Sequence, residues 1–177
     1  MNRMTLDRNK LQELILYIAD RCEGEDEFGS TKLNKILFYA DFTAYARTGR
    51  AITGDEYQKL ERGPAPRHVL SAIQALKKDE ALAEKTRSYY GLPQRWFVAL
   101  RDPDISLFTP QEIAIVDDVI TRMRGMNAST VSHISHTLAG WKLAELGETI
   151  PYNTVWLSEQ SPCEEDLAYG LGRRTCG

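Results

Sequence analysis

Few side chains in this sequence have types and spacings that could do chemistry together. His133 and His136 stand three residues apart, so on a helix they share a face and could hold a metal. No Asp, Glu or Cys falls within that segment to complete a ligand set, and structural metal sites usually need four ligands. Ser129, Ser132 and Ser135 lie beside the histidines but lack the Gly-x-Ser-x-Gly elbow of a hydrolase, and read as caps and small packing residues. Gly170-Leu171-Gly172 follows no strand and opens no helix, so it is not a phosphate loop. Cys22, Cys163 and Cys176 form no Cys-x-x-Cys pair and read as free thiols. The expectation is a protein with no catalytic residue, no metal and no cofactor, and not an enzyme.

Two kinds of recognition chemistry remain. Residues 62–101 carry eight Lys and Arg against three acids, a local +5 in a chain of net charge -3. Arg67, Lys77, Lys78, Lys85 and Arg87 are the candidate DNA contacts, because cations attach to phosphates and steer association. The order helix, helix, hairpin over 31–47, 65–79 and 82–101 has a winged-helix-like layout. Protein recognition is the leading expectation. Tyr57, Lys59, Leu60 and Arg62 alternate along a short extended segment, so one face can anchor it and the other can meet a partner. Gly63, Pro64 and Pro66 form a rigid corner behind them. Tyr89, Arg95 and Trp96, with Tyr90, are residue types that dominate binding hot spots. The same rings would serve equally well to pack the hairpin on the helices.

The elements that must position these residues follow from periodicity. A first helix spans 5–22 with Asp7 as cap, and an acidic loop covers 23–29. A second, aromatic-rich helix covers 31–47, started by Ser30 or Thr31 and ended at Gly49. A third covers 65–79, with Val69, Leu70, Ile73 and Leu76 as its buried face. Two polar-aromatic runs around Gly91-Leu92-Pro93 predict a β-hairpin over 82–101. Thr109-Pro110-Gln111-Glu112 is a capping box with Pro at the first helical position, opening a fourth helix to about 125 that buries Ile113, Val116, Ile120 and Met123. Ser129 or Thr130 starts a short fifth helix, 141–146 forms a sixth, and 150–157 is an extended strap. The whole reads as one α+β domain, mostly α, a single helical domain with a small β-hairpin and a short extended segment. Residues 1–157 form the domain and 158–177 a flexible tail. No run approaches a bilayer-spanning length, and the first residues lack a signal-peptide pattern, so a cytoplasmic location without membrane contact is expected.

The runs K-L-N-K-I-L-F-Y-A-D-F from Lys32 and T-G-R-A-I-T-G-D-E-Y-Q-K-L-E-R-G-P-A-P from Thr48 resemble the Panacea-domain family of SocA-like antitoxins and phage-associated proteins. L-F-T-P-Q-E from Leu107 and V-S-H-I-S-H-T-L-A-G-W from Val131 are similar to its C-terminal helical part. The resemblance covers about residues 10–157. It implies a mostly helical fold with a small β element, and an antitoxin that neutralises a cognate toxin by direct contact. Operator DNA, on the basic segment 62–101, and a homodimer, through an exposed aromatic face but with no heptad repeat to argue for it, stay open as further partners. Tyr57-Gln58-Lys59-Leu60 stands where the family often has an aromatic-acid-aromatic run, which marks a subgroup.

Overall fold

The computed structural model describes residues 4–157; the expected tail, with Cys163 and Cys176, lies outside the described residues. Six α-helices and five strands run in the order α1 (Arg8–Arg21), α2 (Ser30–Thr48), β1 (Tyr57–Leu60), β2 (Gly63–Pro66), α3 (Val69–Lys78), β3 (Leu82–Tyr89), β4 (Leu92–Ala99), α4 (Pro110–Met123), α5 (Ala128–Ser135), α6 (Ala139–Leu143) and β5 (Thr149–Ile150). Short 3-10 turns cover Ile105–Leu107 and Tyr152–Leu157. The fold is α+β and mostly α, as the pattern predicts.

α2 is the hub. It packs against α1, α4, α5, β2, β4 and the last 3-10 turn. Residues 32, 33 and 35–44 are all buried, so the helix is enclosed around most of its girth, with Lys32, Lys35, Asp41 and Thr43 among the buried side chains. Its rings form a continuous cluster: Phe38 lies 4.1 Å from Phe42, and both meet Tyr57 edge-on at 5.4 and 5.5 Å. Such pairs add specificity to the area they bury. Gly49 ends the helix at φ 76°, where a left-handed cap is needed. At the other end the N-cap is Gly29, without a side-chain cap bond, rather than Ser30 or Thr31.

Two sheets flank this hub, β2-β1-β5 and the separate pair β3-β4, all antiparallel. Gly63–Pro66, expected as a corner, is a strand paired with β1 from Leu60↔Gly63 to Tyr57↔Pro66. The prolines fit because of parity. The Lys59 N–H bonds Glu148 O on the β5 side, so positions 57 and 59 of β1 face β5. The residues opposite them, Pro66 and Pro64, would aim their N–H away from β1, and proline has none to waste. Because β2 runs through Pro66, α3 begins at Val69, with Ala72 rather than Leu70 completing its buried face. Leu70 is 60% exposed.

The remaining elements shift in smaller ways. α1 starts at Arg8, with Asp7 accepting from Lys10 N at 3.0 Å. The capping box forms as read: Glu112 N donates to Thr109 Oγ1 and Thr109 N to Glu112 Oε2. α4 buries Ile115 and Val119 besides Val116, Ile120 and Met123, leaving Ile113 half-buried. α5 is capped by Asn127 rather than Ser129 or Thr130. Only Thr149 and Ile150 of the expected strap are extended, the rest being the 3-10 turn. The winged-helix analogy is loosened, since α3 packs on α1 and β3 while the β1–β2 hairpin stands between α2 and α3 in the chain.

Candidate partner-binding surface

The sequence placed its first recognition segment at Tyr57–Pro66, and the structure turns most of that segment inward. Tyr57 is buried, and its hydroxyl donates to Asp41 Oδ2 at 2.8 Å. Asp41 is itself buried and also accepts from Thr53 N at 2.8 Å and from Thr53 Oγ1. Burial pushes the Asp41 carboxyl up to about 6, against the pull of those bonds. Asp55, beside it, accepts from His68 N at 3.1 Å and meets His68 Nδ1 at 2.6 Å, while Tyr152 Oη donates to Asp55 O at 2.6 Å. This network ties the Ile52–Tyr57 loop to α2 and to the start of α3. It is a structural lock, and Tyr57 is corrected from partner contact to core.

Gly63, Pro64 and Pro66 are buried as well. Gly63 sits at φ 99°, and a Cβ there would lie 2.2 Å from Ser135 Oγ and 2.7 Å from Lys35 Cε. Lys35 is buried and donates from Nζ to Pro64 O at 2.9 Å. Burial pushes its amine down to about 7. Lys59 donates from Nζ to Ala144 O at 2.9 Å and lies 4.1 Å over the Trp141 ring, fastening α6. Pro64, Pro66 and Lys59 therefore serve the interior. Leu60, 38% exposed, and Arg62 remain outside.

The candidate DNA cations are largely turned onto the chain itself. Arg67 donates to Gln58 Oε1, Gly147 O and Thr149 Oγ1 at 2.9–3.0 Å. Lys77 and Arg95 hold Glu84 at 2.6 and 3.0 Å, and the Lys77 bond is the main cause that keeps the Glu84 carboxyl below its usual range. Arg87 donates to Gln94 Oε1 at 2.8 Å and to Glu25 O at 3.1 Å. Lys85 and Arg87 also stand 5.6 and 5.0 Å from the half-buried Trp96 ring. Lys78 is exposed on α3. His136 stacks on Trp141 at 4.0 Å. Among the described residues no group of three or more His, Cys, Asp or Glu is gathered where a metal could sit, and no helix is long and apolar enough to cross a membrane. Cys22 is buried, which pushes its thiol up to about 12.

The candidates that stay outside border two grooves that share Ser30 and Arg95 as walls. The first, about 610 Å³, lies between the α2 start and the β3–β4 tip and includes Arg62, Tyr89, Tyr90, Leu92 and Pro93. The second, about 380 Å³, runs along α3 and is floored by Pro66, Val69, Ile73 and Phe97, with Leu60 and Leu70 at its rim. Tyr90 is 91% exposed and Leu92 70% exposed, so two large apolar side chains stand in solvent beside this groove. The hairpin places them there because Tyr90 and Gly91, at φ 48° and 79°, form its two-residue turn. Of the partner-binding candidates, Leu60, Arg62, Tyr89 and Arg95 meet on this surface with the buried Pro66 in its floor, and the DNA candidates Arg67 and Lys77 line the second groove. Leu70 and Leu92 were missed; the two-residue register of the hairpin was the available signal for Leu92, whereas Leu70 followed the helical period of a buried face.

The chain is thus an α+β domain with a buried polar network around Asp41 and Asp55 and an open surface that gathers aromatic and arginine side chains. A family model described as antitoxin SocA-like, Panacea domain, matches residues 33–142, more than half of the sequence, and the chain belongs to that family. Searches of curated proteins and of solved structures found no match.

Proposed function

We propose that this chain is the antitoxin of a toxin–antitoxin pair and neutralises its toxin by direct contact, without catalysis, in the cytoplasm. Family membership supports the antitoxin-type role. The observation that carries the contact mechanism is the double groove around Arg95, where Tyr90, Leu92, Leu60 and Leu70 are exposed beside Arg62. Aromatic and Arg anchors around an apolar centre are what protein interfaces concentrate. Operator-DNA binding has less behind it, since Arg67, Lys77 and Arg87 are engaged within the chain.

The test is expression of each neighbouring reading frame, alone and together with this chain. The reading expects one neighbour to be toxic alone and tolerated on co-expression. It also expects the double variant Tyr90→Ser, Leu92→Ser to lose rescue with an unchanged thermal transition. Toxicity that persists beside the wild-type chain, or the absence of any toxic neighbour, contradicts it.

A further inference from the structure

Among the described residues, the register of the second hairpin leaves the outer edge of β3 open while the other edges are blocked or, in β5, only two residues long. Leu100 N donates to Ala81 O at 2.8 Å, and these residues extend the pairing Leu82↔Ala99 by one step. Tyr89 and Leu92 close the two-residue turn at the other end. Both anchors put the odd-numbered residues of β3 in hydrogen bonds with β4. The even-numbered ones, Glu84, Thr86 and Ser88, therefore aim their N–H and C=O groups outward. Thr86 and Ser88 are exposed, and no backbone group among the described residues pairs with them there.

The other edges are blocked by identifiable devices. The outer edge of β2 carries Pro64 and Pro66, which have no N–H to offer, and Lys35 occupies the Pro64 carbonyl. On the outer edge of β4, Pro93 lacks a donor, and Gly29 lies against the Arg95 carbonyl, which a Cβ there would approach to 3.0 Å. β5 is two residues long. An open edge is an aggregation hazard that folds normally blunt. Here it is left free at the hairpin that borders the first groove.

We infer that the outer edge of β3 is a docking strand for an extended acidic segment of the partner protein; this rests on the antitoxin reading above. Main-chain hydrogen bonds to Thr86 and Ser88 would supply affinity, and alternate side chains would supply selection. Lys85, which is exposed, and Arg87, which is held by Gln94 and the Glu25 and Asp26 carbonyls and stands 3.5 Å from the Asp26 carboxylate, lie on one face of β3, and the charge there, led by Lys85, decides the occupant. In an antiparallel pair centred on Thr86, a second copy would set Lys85 opposite Arg87 and Arg87 opposite Lys85, like charges facing like charges, which destabilises a strand pair. The edge thus rejects its own kind and favours a segment with Glu or Asp opposite Lys85 and Arg87. The intervening positions, opposite Thr86 and Ser88, take small neutral side chains.

The experiment uses the full chain and three capped synthetic peptides of eight residues. One alternates Thr with Glu, one alternates Thr with Lys, and one is the Thr/Glu peptide with its pairing amides N-methylated. Amide exchange is followed residue by residue. The Thr/Glu peptide slows exchange at Thr86 and Ser88 by about tenfold or more at saturation, and the other two do not. Thr86→Pro removes the outward donor at a position where an edge strand tolerates proline, and abolishes that binding with the thermal transition retained. Ser88→Pro is the second variant if the first unfolds. Absence of slowing with the Thr/Glu peptide, equal slowing by all three, or slowing that appears on concentrating the chain alone overturns the inference. The outcome separates from that of the antitoxin reading. If wild type and Thr86→Pro rescue a toxic neighbour equally, the edge inference falls and the antitoxin reading stands. If no neighbour is toxic, the antitoxin reading falls and the peptides still decide the edge.

Discussion

The two hairpins use the same device, antiparallel strands on a two-residue turn, for opposite ends. β1–β2 is folded into the molecule: Tyr57 is locked onto Asp41, Gly63 presses on Lys35 and Ser135, and every residue of β2 is buried. β3–β4 projects, with Tyr90 and Leu92 at its tip and an unpaired edge along β3. The difference teaches that the stretch with the most distinctive sequence is the one that holds the fold. The stretch with plainer composition carries the surface. A motif kept together in sequence can be a packing solution rather than a footprint.

Variants can break that contrast, starting with the largest effect. Gly63→Ala forces a non-glycine residue to φ 99° and drives its Cβ into Ser135 and Lys35. It should cost about 3 kcal/mol in urea unfolding, from backbone strain plus overpacking. A loss below about 1 kcal/mol, in the range of ordinary substitutions, would show that the first hairpin is not tightly seated.

Lys35→Met probes the same junction through pH. The Lys35 amine lies near 7 in the folded chain and at its ordinary 10.5 when unfolded. Between those values the unfolded state holds a proton that the folded state does not, so stability gains from rising pH over that window. Lys35→Met should be more stable than wild type at pH 7, and the gap should narrow towards pH 10. Parallel stability curves for the two proteins would contradict the burial of this amine, which donates to the neutral Pro64 carbonyl.

Tyr57→Phe keeps the ring and removes one buried hydrogen bond to Asp41, for about 1–2 kcal/mol. Denaturation without any change in rescue would place Tyr57 in the lock and not in the interface. At the small end, Tyr90→Ser should change stability by less than about 0.5 kcal/mol, as for exposed sites, while weakening partner binding. If Tyr90→Ser destabilised the chain as much as Tyr57→Phe, the contrast between hairpins would collapse.

Much of this architecture was legible in the sequence. Thr109-Pro110-Gln111-Glu112 announced its helix because capping is local chemistry, and the β3–β4 hairpin showed through its aromatic runs around Gly91. What escaped depends on distant partners. Asp41 and Tyr57 sit on different elements sixteen residues apart, and no spacing rule joins them. Gly63-Pro64-Ala65-Pro66 read as a corner because proline usually excludes a strand; only the register shows that both rings occupy positions whose N–H would point outward. Lys59 and Arg67 read as recognition cations, yet Lys59 donates to Ala144 O and Arg67 to Gly147 O and Thr149 Oγ1 besides Gln58, acceptors mostly supplied by the tertiary fold. Leu70 followed the helical period, but the face it was assigned to is covered at Ala72 instead.

The most direct test is amide exchange on the chain purified together with a neighbouring toxic protein, compared with the chain alone. New protection is expected at Thr86 and Ser88, with the amides of Tyr57, Gly63 and Ala65 unchanged because these residues are already buried. Protection gained at Tyr57, Gly63 and Ala65 while Thr86 and Ser88 keep exchanging freely would contradict the docking-strand inference.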